Sequence, residues 1–369
     1  MAVALYRKFR PTKFKDILGQ SELVTVLENA ARRDKLAHAY LFYGPRGTGK
    51  TTAARIIAKV ANCETRRDDA KFRSTGEPCN TCRPCTEIDL GRALDVVEID
   101  GASNRGIDEI RALKESIRLS PTSYTYKVFI IDEAHQLTKE AWNALLKTLE
   151  EPPAHAIFIL ATTEYEKVPA TIASRTQRFH FKKPGIPEIV EKLTTIIRSE
   201  KLSVADDAIE LIAASGEGSF RDAESLLDQL TAIKEEVTVK TVEEVIGTVG
   251  FERISTLADH IFANDITKAL EAIRDLSVGG TNIVQVVKEL ISYLRRVLTL
   301  SIDPKFMDYF AKEFTRAECK RLQVHSSKII KEKHIPLIRA LITAWEQTRY
   351  SPFASLPLEV TLIEYLSKK

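Results

Sequence analysis

The stretch Gly44-Pro45-Arg46-Gly47-Thr48-Gly49-Lys50-Thr51 decides how this chain is read. It has the form G-x-x-x-x-G-K-T, in which glycines let backbone N–H groups converge on phosphate oxygens. The apolar run Tyr40-Leu41-Phe42-Tyr43 precedes it and predicts a buried strand. Residues 52–60 follow with small and apolar side chains at helical spacing, and a helix N-terminus there adds favourable partial charge for an anion. Strand, glycine loop and helix are the context the pattern requires. On this reading Gly44, Pro45, Arg46, Gly47, Thr48 and Gly49 wrap the phosphates. Lys50 reaches the outer ones, and Thr51 turns its hydroxyl to Mg²⁺. A chance glycine turn is the alternative, and the flanks weigh against it.

A second anchor is Lys127-Val128-Phe129-Ile130-Ile131-Asp132-Glu133-Ala134-His135. Its apolar run predicts a buried strand, with two carboxylates at the C-terminal end, where open parallel sheets hold ligands. Asp132 fits the acid that organises Mg²⁺, and Glu133 fits a base that polarises the attacking water. A strand end with merely solvated acids is the bland alternative. Residues 157–161 predict another strand, ending in Thr162-Thr163-Glu164. Thr163 is the first choice for a residue that orients water or touches the terminal phosphate, and Thr162 the second. Residues 95–100 predict a further strand and residues 169–175 a short helix, with Phe179-His180-Phe181 closing the sheet. After the turn at 101–106, a helix is expected from Ile107. There Ser103 either caps the helix or joins Arg105 in holding a backbone phosphate. Trp142, Leu145, Leu146 and Leu149 fall on one face of a helix that Glu150-Glu151-Pro152-Pro153 stops.

The 369 residues suffice for two or three domains, and 44% hydrophobic with 28% charged residues is ordinary for a globular chain. A formal net charge of +3 leaves any nucleic-acid contact to a local patch. No apolar run has membrane-span length, and residues 1–11 lack a signal core, so a cytoplasmic protein is expected. Four of the five cysteines cluster as C-x15-C-x2-C-x2-C: Cys63, Cys79, Cys82 and Cys85. In a reducing compartment this favours four thiolates on one Zn²⁺ over disulfides, with a redox cluster or an iron–sulfur centre as alternatives. Cys319 stands alone, an ordinary helix side chain.

Residues 1–39 form a segment that either folds over the base of a nucleotide or packs on the core as an N-terminal helix. Beyond Lys182-Lys183-Pro184-Gly185 the chain reads as helical throughout. Ser219 is an expected N-cap. Arg221 sits in a first turn, where a cation opposes the helix dipole, so it has another reason to be there. Helical stripes follow at Leu290, Leu294, Val297 and Leu298, at Ile338, Leu341, Ile342 and Trp345, and at Leu358, Leu362, Ile363 and Leu366. No catalytic constellation appears in this last part, whose character is that of an assembly module.

Taken together, the glycine loop, the Asp132-Glu133 strand, the cysteine insertion, residues 143–153, Ala161-Thr162-Thr163, Ile172-Ala173-Ser174-Arg175 and residues 218–223 resemble the AAA+ ATPases. Within them they resemble the clamp-loader branch, the gamma/tau family of bacterial DNA polymerase III, over essentially the whole chain. The resemblance implies an α/β fold: a RecA-like P-loop parallel sheet over residues 1–181, with a zinc insertion at about 62–90. A helical lid over 182–247 and an all-α collar over 248–369 complete it. It implies that Arg175 is an arginine finger serving the neighbouring subunit's ATP. Thr163 corresponds to sensor 1, and Arg221 to sensor 2, touching its own subunit's phosphates. Lys50, Asp132 and Glu133 are the remaining catalytic residues, Thr51 and Asp132 hold Mg²⁺, and Cys63, Cys79, Cys82 and Cys85 hold zinc. Thr176 departs from the pattern, which usually has Cys there.

The implied activity is ATP hydrolysis within a DNA-directed DNA polymerase holoenzyme, coupled to opening a sliding clamp and loading it onto primed DNA. The implied partners are delta and delta-prime subunits, further gamma/tau copies in a hetero-pentamer, the beta clamp and primer–template DNA. Nothing corresponds to the polymerase- and helicase-binding domains of the longer tau form, so a short form or a truncated chain is expected. Three rivals remain. The Asp-Glu-Ala-His letters suggest a helicase, which would need a second RecA-like domain. Another AAA+ DNA-remodelling ATPase, such as a branch-migration motor, would not need the cysteines. A nucleotide-locked scaffold would not need Lys50, Thr51, Asp132 and Glu133 intact.

Overall fold

The computed structural model describes residues 4–103, 113, 115–246, 250–279, 281–311, 314–351 and 353–367. They form two compact units, one of residues 1–196 with 216–228, the other of residues 197–215 with 229–369.

The first unit is built on five strands: β1 (Ala39–Tyr43), β2 (Val96–Asp100), β3 (Lys127–Asp132), β4 (Ala156–Thr162) and β5 (Gln177–His180). Their order is β2-β3-β4-β1-β5 and every pairing is parallel. The central strands read as unbroken apolar runs because helices cover both faces of the sheet. Successive side chains alternate between two cores. Tyr40, Phe42, Val128, Ile130 and Ile159 meet Phe14, Ile56 and Ile57 on one side. Leu41, Phe129, Ile131, Phe158 and Leu160 meet Trp142, Leu145 and Leu149 on the other. Phe14, Tyr40, Phe42, Phe129 and Phe158 are fully buried. Side chains of this size contribute roughly 1.5–3 kcal/mol each on burial. Because the strands are parallel, their C-terminal ends share one edge. Register places Tyr43 of β1 opposite Thr162 of β4, and Asp100 of β2 opposite Asp132 of β3.

The elements of the first unit follow the sequence expectations within a residue or two. The glycine loop lies between β1 and the helix Lys50–Asn62. The Trp142 face belongs to the helix Lys139–Glu150, capped by Thr138, whose hydroxyl accepts from the Ala141 N–H. Ser219 caps the helix Phe220–Ile233, its Oγ accepting from the Asp222 N–H at 3.2 Å. The helix expected from Ile107, with Arg105, lies outside the described residues except at Leu113 and its C-terminal turns. Ser103 itself donates to Asp100 Oδ2 at 3.0 Å.

The second unit corrects one expectation. Its part of residues 187–246 is not all helical: Ser203–Val204 and Glu236–Val237 pair as a short parallel ladder. Two β-branched residues, Val204 and Val237, sit where the chain must leave one helix and enter another. Beyond this ladder the unit is helical, with Leu257, Leu290, Leu294, Leu322, Leu341, Leu358 and Leu362 in one core. Ile342 and Ile363 lie outside that core and are exposed, so the apolar stripes are narrower than the letters suggest. Cys319 lies on the helix Arg316–Ser326, as expected. No described helix is long and apolar enough to cross a membrane.

Candidate nucleotide site and cysteine cluster

An open cleft of about 960 Å³ lies at the C-terminal edge of the sheet. Its floor is the glycine loop from Arg46 to Gly49, continued by Lys50, Thr51 and Thr52, with Asp132 and Glu133 beside it. The loop can take this path only because Gly44, Gly47 and Gly49 all have positive φ. At Gly47 there is also no room. A Cβ there would stand 1.8 Å from Ser219 Oγ, and the Gly47 carbonyl accepts from the Phe220 N–H at 3.2 Å. This close approach brings the first turn of the Phe220–Ile233 helix over the loop, and with it Arg221 and Glu224, which line the cleft.

The side chains expected to act on phosphate meet here. Lys50 is buried, and its ammonium donates to the carbonyls of Gly44 at 2.8 Å and Pro45 at 2.7 Å. Burial lowers its pKa, and the carboxylates of Glu133 and Asp132 oppose that shift. Thr51 donates its hydroxyl to Asp132 Oδ2 at 2.8 Å. Hydroxyl and carboxylate therefore converge on one point, as a shared hard cation such as Mg²⁺ requires. Glu133 stands at φ 45°, ψ 43°, left-handed for a residue with a side chain. Such conformations cluster at functional sites. Thr163 donates to Glu133 Oε2 at 3.1 Å. Thr162, the second choice, is fully buried and faces His135, its Oγ1 3.0 Å from Nδ1. Adjacent residues of a strand point to opposite sides, which separates the two threonines.

Arg175 is outside this constellation. It follows the short helix Ala170–Ala173 and is absent from the lining of its own cleft. Its guanidinium donates to the Thr171 carbonyl at 2.7 Å and to Glu150 Oε1 at 2.5 Å. The side chain is 34% exposed. Arg221 does line the cleft, and its guanidinium carbon lies 5.0 Å from the centre of the Tyr6 ring.

Several lining residues escape a reading of the letters. Tyr6, Arg10, Pro11, Asp16, Ile17 and Leu18 form one wall, which agrees with the expectation that the N-terminal segment covers a nucleotide. Burial lowers the Arg10 pKa. Lys192 donates to the Phe9 carbonyl at 2.6 Å and stands 3.9 Å from Glu224. Burial pushes the Glu224 carboxyl up to about 7, against the pull of Lys192 and Arg10. In the sequence His135 is only a letter of a helicase box. Its buried ring reaches Glu133 Oε2 at 3.4 Å and Glu164 Oε1 at 3.1 Å. No periodicity in the sequence could reveal that bridge.

The sulfurs of Cys63, Cys79, Cys82 and Cys85 all lie within 4.8 Å of one another. Cys63 and Cys82 are 3.9 Å apart. Four thiolates about 2.3 Å from a tetrahedral ion stand roughly 3.8 Å from each other, so the set fits a Zn²⁺-type ion. Cys79 Sγ also accepts from the N–H groups of Thr81 at 3.4 Å and Cys82 at 3.2 Å, which favours a thiolate.

Sheet order, glycine loop and acid-tipped β3 together define a P-loop ATPase of the AAA+ class. Residues 19–185 match the family described as DNA polymerase III, delta subunit. Residues 188–235 match the DNA polymerase III clamp loader subunit ATPase lid domain, and residues 237–368 match domain III of the DNA polymerase III subunits gamma and tau. The chain is 45% identical over 302 residues to DNA polymerase III subunit tau of Bacillus subtilis, covering 82% of this chain and 52% of that one. It is 34% identical to the tau subunit of Escherichia coli, covering 98% of this chain and 55% of that one. DNA polymerase III subunit gamma of Buchnera aphidicola is 32% identical, with 98% of both chains covered. The chain thus spans about half the length of the tau subunits and nearly all of that gamma subunit. It belongs to the DNA polymerase III gamma/tau family.

Proposed function

We propose that this chain is an ATP-hydrolysing motor subunit of a clamp loader, and that its neighbours in the assembly complete its active site. The observation that carries the proposal is a separation. Lys50, Thr51, Asp132, Glu133 and Thr163 gather at one cleft, while Arg175 is half-exposed and turned to Glu150. In this reading Lys50 exchanges the carbonyls of Gly44 and Pro45 for phosphate oxygens. Thr51 and Asp132 would hold Mg²⁺, which neutralises phosphate charge. Glu133 takes a proton from the attacking water, and the Thr163 hydroxyl fixes its carboxylate. Arg221 binds phosphate from the Phe220–Ile233 helix. Arg175 supplies the missing positive charge to the next subunit, so hydrolysis waits for correct assembly.

The partners proposed are delta and delta-prime subunits, further copies of this chain, the beta sliding clamp and primer–template DNA. Hydrolysis would release the clamp once DNA has completed the trans sites. Zn²⁺ is the ion proposed for the four cysteines, where it would act as a structural staple. The division at 181/182 and 247/248 into ATPase, lid and collar is likewise proposed, as is a cytoplasmic location.

The test is the Arg175→Ala variant in the reconstituted assembly. Affinity for nucleotide stays at the wild-type value, and turnover stimulated by clamp and DNA falls by about 10³-fold or more. Stimulated turnover at the wild-type rate would refute the shared site.

A further inference from the structure

The cysteine cluster is bonded to both walls of the nucleotide cleft. On one side, the buried Glu77, two residues before Cys79, accepts from the Phe14 N–H at 2.8 Å and the Lys15 N–H at 3.0 Å. Asn80, between Cys79 and Cys82, donates to Thr12 Oγ1 at 3.2 Å. The segment so held runs directly into the cleft wall, which includes Pro11, Asp16, Ile17 and Leu18. On the other side, the glycine loop's own helix ends at Asn62, and Cys63 follows it. From that helix the buried Lys59 donates to Asn80 Oδ1 at 2.8 Å and pairs with Asp89 at 2.9 Å. Asn80 therefore bridges the two walls with one side chain. It does so at φ 62°, a left-handed setting that Asn tolerates better than most residues with a side chain.

We propose that the cysteine module is a positioning element for nucleotide binding: Glu77, Asn80 and Lys59 set the distance between the 12–18 segment and the glycine-loop helix. The ion held by the cysteines keeps those three side chains in place. Loss of the ion then loosens the cleft wall and weakens nucleotide binding without touching the phosphate contacts. The proposal rests on the cleft being the ATP site and on the cysteines holding a metal, as proposed above. A buried backbone N–H left without its acceptor is costly, and hydrogen bonds to a charged acceptor are the stronger kind. A carboxylate that accepts from two such donors is therefore a strong local restraint.

The test uses the full chain, a fluorescent non-hydrolysable ATP analogue, elemental metal analysis and hydrogen exchange of residues 12–18. Glu77→Gln presents an amide donor to one of the two N–H groups. It raises the analogue's dissociation constant about tenfold, speeds exchange at 12–18 and leaves metal content unchanged. Asn80→Ala, a milder change, moves both readouts in the same direction. Wild-type protein stripped with a chelator reproduces the Glu77→Gln behaviour, and restored metal reverses it. At saturating ATP the turnover of the two variants matches wild type, which a general loss of folded protein would not allow. Dissociation constants within twofold of wild type in both variants and in stripped protein would overturn the proposal. Failure of wild type itself to bind the analogue would instead strike the ATP reading, and wild type free of metal would strike the zinc reading.

Discussion

Gly47→Ala tests whether the glycine loop and the helix carrying Arg221 form one site. Two costs can be worked out. The residue stands at φ 73°, a left-handed setting that costs an L-side chain roughly 1–2 kcal/mol. The new Cβ would also lie 1.8 Å from Ser219 Oγ and 2.8 Å from Ser219 Cβ. Ordinary contact begins near ~3.5 Å, so Ser219 must retreat by more than an ångström. Ser219 caps the helix that carries Arg221 and Glu224, and the Phe220 N–H is tied to the Gly47 carbonyl, so the retreat displaces the whole first turn. Misplacing a catalytic group by about 1 Å costs on the order of 10²-fold in rate. The expected result is a protein that remains folded, with kcat/KM for ATP lowered about 10²-fold or more in steady-state hydrolysis. The double variant Gly47→Ala with Ser219→Gly removes the collision, since Gly is nearly as good a cap as Ser. It recovers activity to within roughly 5–30-fold of wild type, the remainder reflecting the left-handed backbone alone. Wild-type activity in Gly47→Ala, or a double variant no better than the single, would refute the reasoning.

Two other outcomes are expected. Thr163→Val removes the hydroxyl that holds Glu133, and single-turnover hydrolysis slows by about 10-fold or more, while nucleotide affinity measured by titration is retained. Glu224→Gln probes the carboxyl that burial lifts to about 7. A folded pKa above the unfolded one contributes stability below the unfolded value, and that stability is lost as pH rises through the folded value. Wild type therefore weakens between about pH 4.5 and 7, and the variant gains on it by on the order of 3 kcal/mol at pH 8, with the gap closing toward pH 4.5. Urea melts across that range read the difference, and a pH-independent gap would exclude the assignment to Glu224.

Much of the first unit is legible in the letters because its signals are local. The glycine loop needs its glycines within eight letters, and β3 announces itself by an apolar run ending in two acids. The four cysteines are legible too, since thiols at gaps of two residues suit a shared ion better than almost any other arrangement. The bonds that join these pieces are not. Glu77 to Phe14, Asn80 to Thr12 and Lys59 to Asn80 connect residues whose spacing carries no period, and each letter alone reads as an ordinary solvated side chain. The choice between Thr162 and Thr163 is half legible. Strand alternation separates them, but only the packing of His135 against Thr162 decides which one faces Glu133. The ladder of Ser203–Val204 with Glu236–Val237 escapes the sequence because two-residue strands leave no alternation to read.

The pairing of Arg175 with Glu150 has one more consequence. A half-exposed ion pair of this kind is worth at most about 1 kcal/mol, which is less than a factor of ten between tethered and untethered arginine. The tether stores the guanidinium without locking it. An idle subunit therefore has nothing substantial to overcome before reaching for a neighbour's phosphates, and the tempo of fuel use is set by who stands next to it rather than by a latch within.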